Sequence, residues 1–360
     1  MDQFQFCCPT KIYLKKNSLD EIGDIISKDY HLSRVLLIYG SERIKKDGTY
    51  DKIAASLKAA DIAYIDYGGI TPNPDIEDVK KIVDSALTFK PDLLLAVGGG
   101  SVIDAAKSAS HGYYYKGNPL DFNKHKLKPL NSLKVGVILT IPASGSEMSD
   151  SCVISDRRTG FKGGFNDVSN YPLFALLDPT LTYSLPDIQL SYGLVDMFSH
   201  SFERYFSPSD LYEPADELAL AVMKSIVFIS PEVYKKPCIY EARRAMMILG
   251  SLSHNGITSY GKDKKFIVHQ AEHKLSGLYP QLAHGQGIAL LLPEFLKINK
   301  EALKEKIRKF NREVFSKDDE TEAPLVEYLS SLSMAHSFAE LSFVIADKDL
   351  SAARKMLAIK

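Results

Sequence analysis

The sequence has few cysteines, and their positions exclude two common kinds of protein. The four cysteines are Cys7, Cys8, Cys152 and Cys238, and none of them forms a Cys-x-x-Cys pair. They therefore indicate neither a disulfide framework nor a thiolate metal site. Cysteine usage of this kind is typical of a reducing compartment, and we expect a cytoplasmic protein.

Clusters of basic residues and long apolar runs are also absent. The net charge is −1, with no basic block and no interleaving of basic with aromatic residues, which argues against a nucleic-acid partner. No apolar segment is long enough to span a bilayer, and Met1 to Thr10 lacks the features of a signal peptide, so we expect no membrane partner. What remains is the composition of a soluble globular protein, with 45% hydrophobic and 25% charged residues.

The pattern of apolar residues divides the chain near its middle. In the first half, nearly continuous apolar runs such as Arg34 to Tyr39 and Leu93 to Val97 alternate with helical patterns. Such runs are typical of strands covered on both faces, and their alternation with helices predicts a mostly parallel, doubly wound sheet. From about Pro186 onward only helical spacing is found. We therefore predict an α/β dinucleotide-binding domain over residues 1–185 and an all-α metal-binding domain over residues 186–360.

A glycine turn follows one of the apolar strands. Gly98, Gly99 and Gly100 come directly after Leu93 to Val97, and Ser101 is placed to cap the helix that follows. Glycines let the backbone approach an anion, and the amides at the start of a helix bind phosphate. The alternative is a tight connection that needs glycine only for a positive φ. The position at the carboxyl end of a central strand favours a nucleotide, although the turn does not match G-x-G-x-x-G.

Five residues of the second half can bind a divalent cation. Asp196 and His200 are four residues apart, as are His269 and His273, and His284 follows shortly afterwards. On a helix this spacing puts both members of a pair on one face, where carboxylate oxygen and imidazole nitrogen can bind one ion. Each pair alone is also consistent with a solvated ion pair or with structural histidines. The His-Glu-x-x-His pattern of zinc proteases is absent.

The motifs together resemble the iron-containing (group III) alcohol dehydrogenases, most of all their butanol dehydrogenase and NADPH-dependent aldehyde reductase branch. They occur in the family's order and extend over about the first 295 residues. The matching stretches are Gly69 to Pro74, Gly98 to Lys107, Pro142 to Met148, Leu177 to Thr180, Gly193 to His200 and His269 to Gly285.

This resemblance implies a cofactor domain, a helical metal domain and an active site in the cleft. It implies Asp196, His200, His269 and His284 as ligands of one divalent metal, Fe²⁺ or Zn²⁺, and His273 as a proton relay near the nicotinamide. His284 follows His273 by eleven residues, one more than in the family pattern. The implied contacts to the cofactor, in which the glycine turn holds the pyrophosphate, are Gly98, Gly99, Gly100, Ser101, Asp104, Thr140, Ser144, Lys162 and Leu181.

The implied reaction is hydride transfer between a nicotinamide cofactor and a small primary alcohol or its aldehyde. The strand Arg34 to Tyr39 ends in Gly40 and Ser41 rather than in an acidic residue, with Arg43 nearby. An acidic residue there would bind the ribose 2′-hydroxyl and repel a 2′-phosphate, so its absence favours NADP(H) over NAD(H). Glu42 is the residue that could reverse this preference.

Two other functions are consistent with the same motifs. Glycerol dehydrogenase and dehydroquinate synthase share the architecture but catalyse other reactions. A catalytically inactive protein that binds a nucleotide or a metal is the second alternative. The N-terminal residues 3–14 could form an edge strand that pairs two copies of the chain into a homodimer.

Overall fold

The structure is a computed structural model that describes residues 5–208, 213–262 and 265–359. The chain divides into two compact units. We call Cys8–Leu185 the α/β unit, and Pro186–Lys360 with the segment that ends at Cys7 the helical unit. A parallel sheet with helices in the first unit, and helices throughout the described part of the second, confirm the predicted fold class.

The strands of the α/β unit are short. They are β1 Lys11–Leu14, β2 Arg34–Tyr39, β3 Ala63–Tyr67, β4 Leu93–Gly98, β5 Lys134–Leu139, β6 Ser151–Asp156, β7 Phe161–Asn166 and β8 Phe174–Leu177. Six of them form a parallel sheet in the order β1-β8-β5-β4-β2-β3. The other two, β6 and β7, form an antiparallel hairpin. The hairpin was not predicted, because Gly163 and Gly164 interrupt the apolar pattern of β7.

The helices of this unit cover both faces of the sheet. They are α1 Ile22–Asp24, α2 Arg43–Lys46, α3 Thr49–Ala59, α4 Ile76–Phe89, α5 Gly100–Gly112 and α6 Leu120–Asn123. Ile22, Ile53 and Leu57 pack in one core with alternate residues of β4, and α5 contacts β4 as well. Every residue from Leu93 to Val97 is therefore fully buried, which explains why β4 is apolar throughout rather than alternating.

The carboxyl ends of β2 and β4 lie side by side near the middle of the sheet. From β2 the chain continues to β3 on one side, and from β4 it continues to β5 on the other. Tyr39 pairs with Val97, and Gly98 pairs with Leu139, so the segments after these three strands begin at one edge. Open α/β sheets bind their ligands at such a reversal of strand order.

The helical unit is built around one long helix. Its helices are α7 Asp187–Phe206, α8 Pro214–Val233, α9 Tyr240–His254, α10 Ile267–Leu278, α11 His284–Ile298, α12 Lys304–Phe315, α13 Ala323–Ser331 and α14 Asp347–Met356. α7 contacts α8, α9 and α11, and all its residues from Gly193 to Phe206 are buried. The ring of Phe202 packs on those of Phe295 and Phe310, each at 5.5 Å between centroids.

The segment before Cys8 belongs to the helical unit rather than to the sheet. The ring of Phe6 packs edge-on against Tyr260, with 5.5 Å between the ring centroids. Of the predicted edge strand over residues 3–14, residues 3 and 4 lie outside the described residues, and only Lys11–Leu14 forms a strand, β1, which pairs with β8. None of the described helices has both the length and the apolar character needed to cross a membrane.

Candidate metal and cofactor sites

α7 places Asp196 and His200 on one buried face. The Oδ1 atom of Asp196 and the Nε2 atom of His200 are 3.7 Å apart, and their side chains are 6% and 4% exposed. The alternative of a solvated surface ion pair therefore does not fit this pair. Taking two such groups out of water is costly unless they bind each other or an ion.

Two further helices bring imidazoles to the same carboxylate oxygen. The Nε2 atom of His269, on α10, lies 3.6 Å from Asp196 Oδ1, and that of His284 lies 3.5 Å from it. His284 is the first residue of α11. The additional residue that precedes it in the sequence is accommodated between α10 and α11, at positions 279–283, and the imidazole still reaches the group.

The spacing of these four donor atoms fits a metal ion. Two ligands that are each about 2.1 Å from a tetrahedral ion lie about 3.4 Å apart, close to the observed separations of 3.5, 3.6 and 3.7 Å from Asp196 Oδ1. Within the described part of the chain, Asp196 Oδ1 and His269 Nε2 have no hydrogen-bond partner although both atoms are buried. One carboxylate and three imidazoles are donors that divalent transition metals accept.

The electrostatics of the group favour its metal-binding forms. Burial would raise the pKa of Asp196, but the adjacent His200, His269 and His284 hold that pKa well below its usual range. Burial lowers the pKa of His200 well below its ordinary value, so this imidazole is neutral. Burial also lowers the pKa of His269, but Glu203 and Asp196 together raise it to about 9. A metal that binds His269 near neutral pH therefore displaces a proton.

Two buried glutamates, which were not predicted, contact His269 and His284 on the Nδ1 side of the ring, away from Asp196. The Nδ1 atom of His269 lies 2.6 Å from Glu203 Oε2, and that of His284 lies 2.5 Å from Glu272 Oε2. Spacing is the sequence signal that could have found them. Glu203 follows His200 by three residues, and Glu272 follows His269 by three, so each lies on the same helix face as a candidate ligand.

His273, the predicted proton relay, lies one turn after His269 on α10. Its ring centroid is 6.3 Å from that of His269 and 5.7 Å from that of His284. Donor atoms of His273, His284 and Glu272 also lie within 4.8 Å of one another. Because Glu272 Oε2 already bonds to His284 Nδ1, this second group shares His284 with the first and is not a separate metal site.

The glycine turn joins β4 to α5. Gly99 is the N-cap, and Ser101 lies inside the first helical turn, so the prediction that Ser101 caps the helix is wrong. Gly100, the first residue of α5, packs closely against Ser144. A Cβ atom there would lie 2.3 Å from Ser144 Oγ. Gly98, Gly99 and Gly100 do not have a positive φ. Glycine is needed in this turn because neighbouring atoms leave no room for a Cβ atom, and not because of the backbone conformation.

Two polar side chains of α5, the half-buried Asp104 and the buried Lys107, hold the loop after β5 against the turn. Asp104 accepts hydrogen bonds from the Ser146 hydroxyl at 2.6 Å and from the Val153 amide at 2.9 Å, one with each carboxylate oxygen. Lys107 is fully buried and donates to the carbonyls of Ser146 and Ser149 at 2.7 and 2.9 Å. Asp104, predicted as a cofactor contact, thus bonds to the protein with both oxygens and fixes this loop.

The other predicted cofactor residues lie mostly at the carboxyl edge of the sheet. Gly40 and Ser41 follow β2, and Thr140 follows β5, where its amide donates to the Gly98 carbonyl at 3.0 Å. Leu181 lies in a short 3₁₀ segment after β8. Lys162 lies instead on β7, in the hairpin, opposite Ser155.

Comparisons with known proteins agree on one family. A family model described as iron-containing alcohol dehydrogenase matches residues 9–179, and one for the C-terminal part of the Fe-containing alcohol dehydrogenases matches residues 191–356. NADH-dependent butanol dehydrogenase A of Clostridium acetobutylicum is 39% identical over 82% of this chain and 76% of its own length. The NADPH-dependent aldehyde reductase YqhD of Escherichia coli is 32% identical over 88% and 81%. The crystal structure of NADH-dependent butanol dehydrogenase A from Thermotoga maritima matches with a TM-score of 0.92 and 31% identity, covering 99% of this chain and 90% of that one.

Proposed function

This chain belongs to the iron-containing alcohol dehydrogenase family, and from that premise we propose that it is a metal-dependent oxidoreductase. It transfers a hydride between a nicotinamide cofactor and a small primary alcohol or its aldehyde. The observation that carries the proposal is the approach of three imidazole nitrogens to the single buried oxygen Asp196 Oδ1.

Asp196, His200, His269 and His284 are the proposed ligands of one divalent ion. Iron is the metal in the family's name, and the same donors suit Fe²⁺ and Zn²⁺. Such an ion supplies Lewis-acid chemistry, which polarises a carbonyl oxygen or stabilises an alkoxide. The ionised Asp196 and the neutral His200 are already in the forms that this requires.

His273 is the residue that we propose to move a proton. It belongs to the same helix as the candidate ligand His269, and its ring lies beside that of His284. Imidazole is the side chain that most often acts as a general acid or base at neutral pH. In aldehyde reduction His273 would deliver the proton that the product alkoxide needs, and in alcohol oxidation it would accept it.

In the α/β unit we propose that the turn Gly98 to Gly100 and the start of α5 hold the pyrophosphate of the cofactor. The amides of the first helical turn have no partners within the helix and favour an anion. Thr140 and Ser144 lie next to this turn, and Leu181 follows β8, the strand that pairs with β5. Asp104 and Lys107 act indirectly, because their hydrogen bonds fix the loop that contains Ser144.

We further propose that NADP(H) is preferred over NAD(H). Glu42, the first acidic residue after β2, lies 3.2 Å from the Lys45 ammonium, so its charge is paired with a cation. Arg43 remains close to Ser41, whose hydroxyl accepts from the Arg43 amide at 3.4 Å. This environment would accept a 2′-phosphate.

The test of cofactor preference is the variant Ser41→Asp. The new carboxylate would bind the ribose 2′-hydroxyl and repel a 2′-phosphate, so kcat/KM with NADPH should fall about 10-fold or more relative to NADH. Ser184→Ala is a suitable control, because it removes an exposed hydroxyl partner of Arg43 without adding charge. An unchanged ratio of the two kcat/KM values would contradict the preference for NADP(H).

A metal analysis combined with an enzyme assay tests the main proposal. Purified protein is loaded with Fe²⁺ or Zn²⁺ and assayed for NADPH- and NADH-linked reduction of a series of short aldehydes, alongside Asp196→Asn. Metal-dependent reduction that is lost in the variant is the expected result. Absence of turnover with either cofactor and either metal would refute the proposed function.

We also propose that two copies of the chain form a homodimer through the outer edge of the sheet. β1 is at the end of the strand order, so within the described sheet only one of its edges is paired. An open edge is a template for pairing with another chain. A monomeric mass by light scattering in solution would contradict this assignment.

A further inference from the structure

We propose that Glu272 and Glu203 are positioning residues for the metal centre. Each holds the Nδ1 side of one imidazole, so that the Nε2 atoms of His284 and His269 face Asp196. The inference rests on the proposed function, because it assumes that a divalent ion binds at Asp196. It adds residues that do not touch that ion but determine how the ligands present themselves to it.

The hydrogen bonds identify the tautomers of the two histidines. A carboxylate oxygen accepts hydrogen bonds, so we assign the hydrogens to the Nδ1 atoms that lie 2.5 Å from Glu272 Oε2 and 2.6 Å from Glu203 Oε2. The Nε2 atoms, which face Asp196, are then the atoms through which these imidazoles can bind a cation. A carboxylate at this position also makes the imidazole a stronger donor to a metal.

His284 depends on such support more than the other imidazoles. Its side chain is 27% exposed, whereas those of His269 and His200 are 9% and 4% exposed. Packing therefore encloses His284 least, and it begins its helix directly after a loop. Glu272 is fully buried beneath it and fixes its ring from one side.

Glu203 also accepts hydrogen bonds from the backbone. Its carboxylate accepts hydrogen bonds from the backbone amides of Val268 and His269, at 2.5 and 3.2 Å. These bonds connect the start of α10 to α7. Replacing Glu203 would disturb this helix contact as well as the imidazole. Glu272 is the cleaner residue for an experiment.

The experiment compares Glu272→Gln, Glu272→Asp and Glu272→Ala with the unmodified protein. Affinities of the apoproteins for Zn²⁺ and Co²⁺ are measured by competition with a chelator, without cofactor or substrate. Loss of a partner of this kind lowers metal affinity by about 10- to 100-fold. We expect that loss for Ala and Asp, which remove or withdraw the acceptor. The metal affinity of Glu272→Gln should lie between those of these two variants and that of the unmodified protein, because the Gln amide oxygen still accepts a hydrogen bond from His284 Nδ1.

Glu294→Gln is the matched control. Glu294 is on α11, as is His284, but its carboxylate pairs with Arg354 at 2.8 Å, and its replacement should leave the affinity unchanged. Thermal unfolding of each apoprotein separates positioning from a general loss of structure. The visible absorption of bound Co²⁺ gives a second readout, since a turned imidazole changes the ligand field.

Unchanged affinity and Co²⁺ spectrum in the Ala and Asp variants would overturn the inference. A loss of affinity that only parallels a fall in apoprotein stability, without the partial retention by Gln, would also overturn it. The outcome is separable from that of the enzyme assay. Protein that binds Zn²⁺ with the expected order of variants but reduces no aldehyde would refute the proposed function and retain the positioning role. Unmodified protein that binds neither ion would refute both.

Discussion

At the scale of single residues, Asp196 is the point on which the helical unit's site depends. Its Oδ1 atom lies within 3.7 Å of the Nε2 atoms of His200, His269 and His284. Because the carboxylate is buried, its charge acts on these groups with little screening by solvent. Substitutions of the residues around Asp196 should distinguish those that bind the metal from those that take part in proton transfer.

The first prediction concerns His273 and His269, which lie one turn apart on α10. His273→Asn should lower kcat by about 10²- to 10⁴-fold, the usual contribution of a general acid or base, while the metal content stays unchanged. His269→Asn should abolish metal binding, because it removes one of the proposed donors. Metal content by mass spectrometry and steady-state kinetics measure both. Loss of metal from His273→Asn would instead indicate that His273 is a ligand.

At the scale of elements, the start of α11 is packed directly on α7. A Cβ atom at Gly285 would lie 2.7 Å from the Cα atom of Tyr192 and 2.9 Å from its carbonyl oxygen. Both are backbone atoms of α7 and cannot rotate away. The glycine after His284 therefore lets its helix approach α7 closely enough for the imidazole to reach Asp196.

Gly285→Ala should move the start of α11 away from α7 and separate His284 from the other donors. We expect a fall in the free energy of unfolding of about 1–3 kcal/mol, typical of overpacking, together with weaker Zn²⁺ binding. Denaturant unfolding and chelator competition measure the two effects. Gln270→Ala, at an exposed position on α10, should change neither. Unaltered Zn²⁺ affinity in Gly285→Ala would contradict the close-packing argument.

In the α/β unit, β3 is bordered by tyrosines that bond to acidic residues. The Tyr50 hydroxyl donates to Asp66 at 3.2 Å, and the Tyr67 hydroxyl donates to Asp78 at 3.4 Å. Burial first, and then the nearby carboxylate, raises the pKa of Tyr50 and of Tyr67 to about 12. In the unfolded chain these phenols have a pKa of about 10.

Stability of this unit should therefore fall as the pH rises from about 10 to 12. Below pH 10 both states keep the protons, and above it the unfolded state alone loses them, which favours unfolding. The free energy of unfolding, measured in urea at a series of alkaline pH values, should decline less steeply for Tyr50→Phe than for the unmodified protein. Tyr114→Phe, at an exposed tyrosine, serves as a control. Equal slopes for Tyr50→Phe and the unmodified protein would contradict the prediction.

At the scale of the whole molecule, the residues proposed to bind the metal and those proposed to bind the cofactor's pyrophosphate belong to different units. The metal donors all lie between Asp196 and His284, in the helical unit, and the glycine turn lies in the α/β unit. A ligand that binds only folded protein stabilises it by an amount that grows with its concentration. The metal should thus stabilise the unit that supplies its donors.

Removal of the metal with a chelator should lower the melting temperature measured by calorimetry. Adding Zn²⁺ back at about 100 times its Kd should restore about 2.7 kcal/mol of stability. In Asp196→Asn the same additions should have little effect, because the central acidic donor is gone. A melting temperature that responds equally to Zn²⁺ in both proteins would show that stabilisation comes from another site.

The sequence predicted most of what depends on local pattern. β2 has the bounds that its apolar run Arg34 to Tyr39 indicated, and β4 extends only one residue beyond the run Leu93 to Val97. The residues it missed depend on contacts between elements. Glu203 bonds to His269 on α10 and not to His200, which lies three residues before it on α7. The spacing of residues along one helix cannot predict a contact with another helix. The close approach of Ser144 to Gly100 likewise involves a loop that is distant in the sequence.

By itself, the sequence determined the alternation of strands and helices, the family, and the helical spacing of Asp196 with His200, because periodicity and short motifs are local properties of the chain. Tertiary structure alone decided that His269 and His284 reach the same carboxylate oxygen and that buried glutamates orient them. Those distances depend on how α7, α10 and α11 pack, and packing is governed by side-chain volume and close approach at sites such as Gly285.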